Sequence, residues 1–223
     1  MNYNKKVIVA LDVDSEDKAK SLVESLFPEV EIFKVGLELF SIAGSNFVNW
    51  LDNIGAGVFL DLKFFDIPNT VGRASSAIAK LNLWGFTVHV SAGRDAMSKA
   101  KEFSVETAKK QSKNVPYVLG VTVLTSQVTG VKDVIQCATE AKLSGLDGVI
   151  ASVHEAEAIK DVCGRDFLVV TPGIRKTPED RDDQRRIATA EQAFRSGSDY
   201  IVVGRAVTKA PDPKSALQDL LSW

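Results

Sequence analysis

Three charged residues, Asp61, Lys63 and Asp66, interrupt the otherwise apolar stretch 58–71. Side chains two residues apart in a β-strand project from the same face, so Asp61 and Lys63 should point together. Their neighbours are too apolar for an exposed strand, and burying charges is costly unless they are paired. A lysine held among carboxylates keeps its positive charge and can stabilise negative charge that develops on a bound molecule. The pattern therefore indicates a functional site, and Pro68 places it at a strand-to-helix corner.

Short β-branched runs alternate with amphipathic segments along the chain. The predicted strands are 7–11, 31–36, 57–63, 85–90, 117–123, 148–152, 167–171 and 199–204. The predicted helices are 16–27, 41–54, 68–83, 95–112, 132–144, 154–162, 190–196 and 213–221. Eight such units predict an α/β fold, a parallel (β/α)8 TIM barrel that forms a single domain over residues 1–223. The alternative, a doubly wound open sheet, needs a glycine-rich turn that residues 11–15 lack.

Polar residues occur near the ends of six predicted strands, which is where TIM barrels carry their chemistry. These residues are Asp12, Lys34, Asp61, Lys63, Thr125, Ser126, Arg175 and Arg205, and Pro172 and Gly204 lie in the same segments. Arg175 follows the seventh strand and the Gly204-Arg205 pair follows the eighth, the usual position of a phosphate site in this fold. The polar segment 176–186 is longer than most barrel loops and is a candidate lid.

Composition excludes several classes of protein. The 223 residues are 45% hydrophobic and 25% charged with a net charge of −2, and no dense Lys/Arg block suits nucleic acid. No apolar run reaches the length of about 18 residues that a membrane span requires. The first residues do not resemble a secretory signal, so we expect a cytoplasmic protein. Two cysteines (Cys137, Cys163) and two separated histidines (His89, His154) give no recognisable metal or redox motif, so no metal or cofactor is expected.

The chain resembles the orotidine 5′-monophosphate decarboxylase family, of the compact bacterial type. The resemblance extends over essentially the whole chain. It is carried by VALD at 9–12, FKVG at 33–36, DLKFFDIPNTV at 61–71, LTS at 124–126, TPGIR at 171–175, DQ at 183–184 and VGR at 203–205. The long central motif is highly specific, whereas Gly-Arg alone would be weak.

The resemblance implies a cofactor-independent decarboxylase that makes UMP, the last enzyme of UMP synthesis. Lys63 would donate a proton to C6 of the pyrimidine after CO₂ leaves, within an alternating array with Lys34, Asp61 and Asp66. Asp66 and Thr70 would reach into the site of a neighbouring subunit, which implies an obligatory homodimer. The implied substrate-binding residues are Asp12, Lys34, Thr70, Thr125, Ser126, Pro172, Arg175, Gln184, Gly204 and Arg205. Among them, Asp12 and Lys34 would hold ribose hydroxyls, Thr125 the pyrimidine, and Arg175, Gln184, Gly204 and Arg205 the phosphate.

Two positions depart from the family pattern. Many members have histidine where this chain has Phe65, and proline where it has Ala190. Neither position carries a proton in the implied mechanism, so the departures bear on stability or loop dynamics rather than on chemistry.

Three alternatives stay open from the sequence. One is a metal-dependent sugar-phosphate decarboxylase or hexulose-phosphate synthase of the same barrel superfamily, which residues 67–70 disfavour. Another is a Schiff-base aldolase, for which a lysine beside carboxylates is a poor nucleophile. The third is an inactive module that binds UMP, although all charged positions of the site are filled.

Overall fold

A computed structural model describes residues 3–123, 130–176 and 187–222 of the chain. Eight parallel strands close into a barrel in sequence order, with β8 pairing to β1, so the predicted TIM barrel is confirmed. The strands are β1 (Val7–Ala10), β2 (Ile32–Gly36), β3 (Gly57–Phe64), β4 (Gly85–His89), β5 (Tyr117–Val121), β6 (Gly148–Ile150), β7 (Leu168–Thr171) and β8 (Tyr200–Val203).

Helices follow the strands and pack around the barrel. Over the described residues they are α1 (Glu16–Leu26), α2 (Leu37–Asn53), α3 (Pro68–Ile78), α4 (Arg94–Lys110), α5 (Val131–Leu143), α6 (Val153–Cys163), α7 (Ala190–Arg195), α8 (Arg205–Thr208) and α9 (Pro213–Leu221). None of these described helices combines the length and apolar character that crossing a bilayer requires.

Three helices differ from the sequence prediction. Helix α3 ends at Ile78 rather than near residue 83. Helix α2 begins directly after β2 at Leu37 rather than at residue 41, and a break at Gly44, whose φ is +59°, divides it. Glycine tolerates this left-handed geometry because it has no Cβ. The four-residue α8 was not predicted, because one turn is too short to show a helical period.

Alternation along the strands divides the core into two parts. One face of each strand packs against the surrounding helices in the larger cluster of buried residues. The other face fills the barrel interior with Ile8, Ala10, Ile32, Phe59, Leu119, Val170 and Val202. Two residues beyond Ala10, Ile32 and Phe59, Asp12, Lys34 and Asp61 follow on the same inward side, Asp12 just after the end of β1. The apolar interior therefore forms a floor, and the charged side chains lie above it at the carboxyl ends of the strands.

Aromatic rings close the opposite end of the barrel. The Trp84 ring lies 5.3 Å from the Tyr117 ring and 4.9 Å from the Tyr200 ring, measured between centroids, and it contacts Phe59 edge-on at 5.5 Å. Gly148 makes room at this level, since an added Cβ would lie 2.3 Å from the carbonyl oxygen of Leu168. These contacts seal the floor on which the charged layer rests.

Candidate active site

A cavity of about 490 Å³ opens at the carboxyl ends of the strands, within the size range of small-ligand sites. Its lining combines an apolar floor and wall with charged side chains that come from the first three strands and from the segments after β7 and β8. The lining residues are Ala10, Asp12, Lys34, Phe59, Asp61, Lys63, Val121, Val123, Ile150, Pro172, Gly173, Arg175, Val202, Gly204, Arg205 and Lys209. Eight of the predicted site residues thus line one cavity: Asp12, Lys34, Asp61, Lys63, Pro172, Arg175, Gly204 and Arg205.

Asp61 lies between two lysines. Its Oδ2 is 2.8 Å from the ammonium nitrogen of Lys63 and 3.8 Å from that of Lys34. The Asp61 side chain is 14% exposed and that of Lys63 is 35% exposed, so the pair is partly screened by water. Asp61 and Lys63 therefore point together, as the sequence predicts.

The backbone that presents Lys63 is irregular. Leu60 pairs with Phe86 and Phe64 pairs with Val88, so three residues of β3 face the single residue Thr87 of β4. Lys63 itself adopts a left-handed conformation with φ of +49°. Regular alternation along β3, which the sequence argument assumed, is therefore wrong at this point. A left-handed lysine is uncommon, and strain of this kind persists where the surrounding structure holds it.

Thr87 fills the gap that this bulge opens. Its hydroxyl oxygen accepts a hydrogen bond from the Lys63 backbone N–H at 2.8 Å, and the hydroxyl donates to Oδ1 of Asp61 at 2.9 Å. Thr87 is fully buried. Both oxygens of the Asp61 carboxylate are consequently engaged, one by Thr87 and the other by Lys63.

A second ion pair connects β1 and β2. The Lys34 ammonium donates to Oδ1 of Asp12 at 2.8 Å, and Lys34 is almost completely buried. Ala10 and Lys34 are register partners, which brings Asp12 beside the lysine. Gly36 borders this pair, because a Cβ added there would lie 3.0 Å from Lys34 Nζ and 3.2 Å from Asp12 Oδ1. The glycine leaves the space in which the pair forms.

Cations occupy the part of the cavity next to β7 and β8. Arg175 is buried and its guanidinium donates to the carbonyl of Ile174 at 2.9 Å. Arg205 and Lys209 lie on and just after α8 and also line the cavity. Gly204 precedes them, and an added Cβ there would meet only Ala10 at 3.8 Å. Packing within the described chain therefore does not require this glycine, and a ligand can approach its backbone closely.

A bridge between Ile174 and Ala188 holds the stem of the segment between Arg175 and residue 187. The Arg175 N–H donates to the Ala188 carbonyl at 2.9 Å, and the Ala188 N–H donates to Gly173 at 3.2 Å. Arg175 is thereby fixed at the cavity edge.

His89 lies at the end of β4 beside the site. Burial lowers the pKa of its imidazole, and the positive charge of Lys63 lowers it further. Its Nδ1 accepts a hydrogen bond from the Ser91 N–H at 3.2 Å, as a neutral imidazole can. We conclude that the structure favours a neutral imidazole close to the charged array.

Asp66 and Thr70 do not reach the cavity of their own chain. Both are exposed, Asp66 just before α3 and Thr70 in its first turn. Oδ1 of Asp66 accepts the Ile67 N–H at 2.6 Å, and no cation within the described parts of the chain pairs with it. Phe65 and Ile67 on either side are 65% and 67% exposed. The fourth member of the predicted array is therefore not brought to the other three within a single chain.

Comparison with known proteins gives the family. The model of the orotidine 5′-phosphate decarboxylase / HUMPS family matches residues 5–220. The chain belongs to this family. Similar proteins include an orotidine 5′-phosphate decarboxylase from Syntrophomonas wolfei, 42% identical, with 97% of this chain and 96% of the relative covered. A second, from Dictyoglomus turgidum, is 42% identical with 97% and 93% covered.

A solved structure of a family member has the same fold. The crystal structure of orotidine 5′-phosphate decarboxylase from Lactobacillus acidophilus superimposes with a TM-score of 0.85 at 38% identity, covering 97% of both chains.

The structure shows the contacts around the two positions that depart from the family pattern, Phe65 and Ala190. Phe65 is exposed and its ring centroid lies 5.6 Å from that of His89. At the start of α7, Thr189 and Gln192 form reciprocal hydrogen bonds at 3.2 and 3.0 Å, a capping box. This cap stabilises the helix start, at which Ala190 is the first helical residue.

Some predicted features fall outside the described residues. Thr125, Ser126 and Gln184 lie there, as does most of the candidate lid. Among the residues that are described, no three His, Cys, Asp or Glu side chains form a group that could hold a metal ion.

Three further residues that shape the site, Thr87, Gly36 and Lys209, were not predicted from the sequence. Thr87 could have been found, because it is a polar residue on the inward face of a strand, between the outward Phe86 and Val88. Gly36 ends the FKVG motif, but only the three-dimensional structure shows that it leaves space for the Lys34–Asp12 ion pair. Lys209 follows α8, and no pattern in the sequence indicates that this turn brings it to the cavity.

Proposed function

We propose that this protein decarboxylates orotidine 5′-monophosphate to UMP and CO₂ without a cofactor, the last step of de novo pyrimidine nucleotide synthesis. One observation carries the proposal: the Lys63–Asp61 pair, at 2.8 Å, shares a cavity with Arg175, Gly204 and Arg205. A proton donor and an anion site in one cavity suit a phosphorylated substrate. Membership of the family and the names of its similar members support the same reaction.

The reaction requires stabilisation of electrons on carbon. The bond between C6 and the carboxylate breaks, its electron pair stays on C6, and CO₂ departs as a neutral molecule. The Lys63 ammonium donates a proton to C6, which forms the C–H bond of UMP, and the resulting amine regains a proton from water. A fixed cation beside the reacting carbon stabilises this developing charge at little cost of reorganisation. Lys63 therefore has two roles, electrostatic stabiliser and general acid.

The carboxylates position the lysines. Asp61 contacts Lys63 directly and lies 3.8 Å from Lys34, which in turn binds Asp12. In the proposal, Asp12 and Lys34 bind the ribose hydroxyls, and Asp66 of a second subunit completes the array. Positive and negative groups then alternate around the reacting carbon.

The phosphate is bound at the β7–β8 side. Arg175, Gly204 and Arg205 hold it, with Gln184 contributing from the candidate lid. Thr125, Ser126 and Pro172 contact the pyrimidine side of the substrate. Interactions with the phosphate, which is remote from C6, supply binding energy that can hold the closed site around the reacting groups.

A homodimer follows from the same proposal. Phe65 and Ile67, which flank Asp66, are strongly exposed apolar residues, and so are Leu37 at 58% and Ile42 at 53% on α2. Exposed apolar groups of this kind are typical of protein–protein contacts. Burying them against a second copy would bring Asp66 and Thr70 to that copy's cavity.

The direct test is an absorbance assay with purified protein and orotidine monophosphate in the presence of a chelator. The proposal predicts loss of substrate absorbance and release of UMP. A protein that binds UMP but leaves the substrate intact would be a binding module instead. Absence of turnover of orotidine monophosphate, together with activity on a sugar phosphate that EDTA abolishes and a divalent metal restores, would favour the metal-dependent sugar-phosphate alternative. Covalent trapping by borohydride with substrate would favour a Schiff-base aldolase.

A further inference from the structure

The side chain of Thr87 occupies the one position on β4 that faces the whole irregular part of β3. The register skips from the Leu60–Phe86 pair to the Phe64–Val88 pair, so the residues 61–63 share Thr87 as their opposite number. An ordinary parallel ladder cannot satisfy three residues with one partner. The hydroxyl of Thr87 therefore supplies hydrogen bonds that the ladder does not.

The direction of these hydrogen bonds is fixed by chemistry. The Lys63 backbone N–H can only donate, so Thr87 Oγ1 accepts at 2.8 Å. The Asp61 carboxylate can only accept when ionised, so the hydroxyl hydrogen of Thr87 goes to its Oδ1 at 2.9 Å. The other oxygen of Asp61 accepts the Lys63 ammonium at 2.8 Å. These contacts form a closed circuit from the backbone of Lys63, through Thr87 and Asp61, to the end of the same lysine.

We propose that Thr87 is a positioning residue of the active site, whose hydroxyl fixes both the carboxylate of Asp61 and the left-handed backbone of Lys63. This inference rests on the proposed function and adds a requirement to it. Without the hydroxyl, the Lys63 N–H loses its buried partner and Asp61 can rotate, so the ammonium leaves its position over the reacting carbon.

Three variants of Thr87 separate the effect of losing the hydroxyl from the effect of changing the size of the side chain. Thr87→Val replaces the hydroxyl with a methyl group of similar size, whereas Thr87→Ser keeps the hydroxyl and removes the methyl. Thr87→Ala differs from Thr87→Ser by the hydroxyl alone. Each variant is assayed for kcat, KM and UMP affinity, and its folding is followed by thermal unfolding.

The proposal predicts that kcat falls about 10- to 100-fold in Thr87→Val, since misplacement of about 1 Å at a reacting centre has effects of this size. Thr87→Ser should keep most of kcat, and Thr87→Ala should lose it. UMP affinity should change little in all three, because the phosphate site lies across the cavity at β7 and β8. A valine variant with wild-type kcat, or equal losses in the serine and alanine variants, would overturn the assignment. If Thr87→Val does not fold, the serine and alanine pair decides alone.

A crystal structure of Thr87→Val separates this inference from the proposed function. It should show the Lys63 ammonium displaced from Asp61, whatever the wild-type protein does to orotidine monophosphate. An unchanged Lys63–Asp61 contact in that structure would refute the positioning role. Absence of turnover in the wild-type protein would instead count against the proposed function.

Discussion

The Lys63 ammonium lies 2.8 Å from Oδ2 of Asp61, only two residues earlier on the same strand. The contact forms although the Lys63 backbone is left-handed, with φ of +49°. The site thus combines a short ion pair with an uncommon backbone conformation, and both features bear on what substitutions here should do.

Removal of the Lys63 ammonium should abolish turnover and leave the barrel folded. We expect Lys63→Ala to lower kcat by at least about 10²- to 10⁴-fold, the usual contribution of a general acid. Its fold should persist because Asp61 keeps the Thr87 hydrogen bond and the Lys34 ammonium at 3.8 Å. Steady-state kinetics and circular dichroism check both outcomes. Lys110→Ala, which changes an exposed lysine on α4, is the control, and a Lys63→Ala enzyme with most of its kcat would refute the role.

Mixing two inactive variants tests the shared site. If Asp66 acts in the partner's cavity, Lys63→Ala and Asp66→Asn chains should regain activity when their subunits exchange. Half of the dimers are then mixed, and each has one intact site, so recovery should approach about one quarter of wild-type activity for random exchange.

The control mixes Lys63→Ala with Lys34→Ala. Each substitution removes a residue from the cavity of the chain that carries it, so both cavities of a mixed dimer are defective and activity should stay absent. Equal behaviour of the two mixtures would argue against a contribution of Asp66 across subunits.

Cations at the β7–β8 side should differ in their importance for nucleotide affinity. Arg205→Ala should weaken UMP binding about 10- to 100-fold, as expected when a charge-assisted hydrogen bond worth about 1.5–3 kcal/mol is lost. Lys209 is exposed and no carboxylate in the described chain pairs with it, so we expect it to act as a screened charge. Lys209→Ala should therefore have a smaller effect that fades with added salt.

Isothermal titration with UMP at two ionic strengths measures both effects, with Arg94→Ala as the control on the outer surface. Equal loss in both variants at high salt would show that Lys209 binds the phosphate directly. An unchanged affinity in Arg205→Ala would contradict the phosphate assignment.

The space beside Gly36 should be needed for the Lys34–Asp12 pair. In Gly36→Ala the added Cβ would lie 3.0 Å from Lys34 Nζ and 3.2 Å from Asp12 Oδ1, so the ends of both side chains must move. We expect kcat/KM to fall about 10-fold through this displacement. Stability should change little, because flexible side-chain ends give way easily. Gly130→Ala, whose added Cβ meets only Asp133 at 3.6 Å, is the matched control, and similar kinetics in the two variants would contradict the prediction.

His89 should make stability depend on pH in the mildly acidic range. Burial and then the charge of Lys63 lower the pKa of His89 below its ordinary value of 6.5. Below that ordinary value the unfolded chain binds a proton more readily than the folded chain, so the free energy of unfolding should fall as pH decreases. At pH above it, both states are neutral at this residue and the stabilisation is fully present.

Chemical denaturation of the wild-type protein and His89→Asn between pH 7.5 and 5.5, a range of about two units around the histidine pKa, measures this dependence. In His89→Asn the free energy of unfolding should fall less as pH decreases, whereas in His154→Asn it should fall as much as in the wild-type protein. Lys63→Ala should reduce the decline only partly, since burial is the larger cause. Parallel curves for wild-type and His89→Asn proteins would refute the prediction.

Most of the fold was accessible from the sequence, because apolar periodicity and strand order determine a closed parallel barrel. The confirmed alternation of strands and helices brings Asp12, Lys34, Asp61 and Lys63 to one cavity. The bulge opposite Thr87 was not accessible, since it depends on how β3 and β4 pair rather than on either strand alone. Lys209 was not predicted for a different reason, because the single helical turn that precedes it leaves no periodic pattern in the sequence.

The strands that carry charge into the cavity are neighbours around the barrel, since β8 pairs with β1. β7, β8, β1, β2 and β3 form one unbroken arc, and β4 supports it through Thr87. Over the described residues, Val121 on β5, Val123 just after it and Ile150 on β6 line the rest of the cavity. In a circular permutant opened in the connection 111–116 and joined at the original termini, the strands of this arc would follow one another along the chain without a break. If the arc carries the chemistry, such a rearranged gene should encode a protein that keeps the activity of the original.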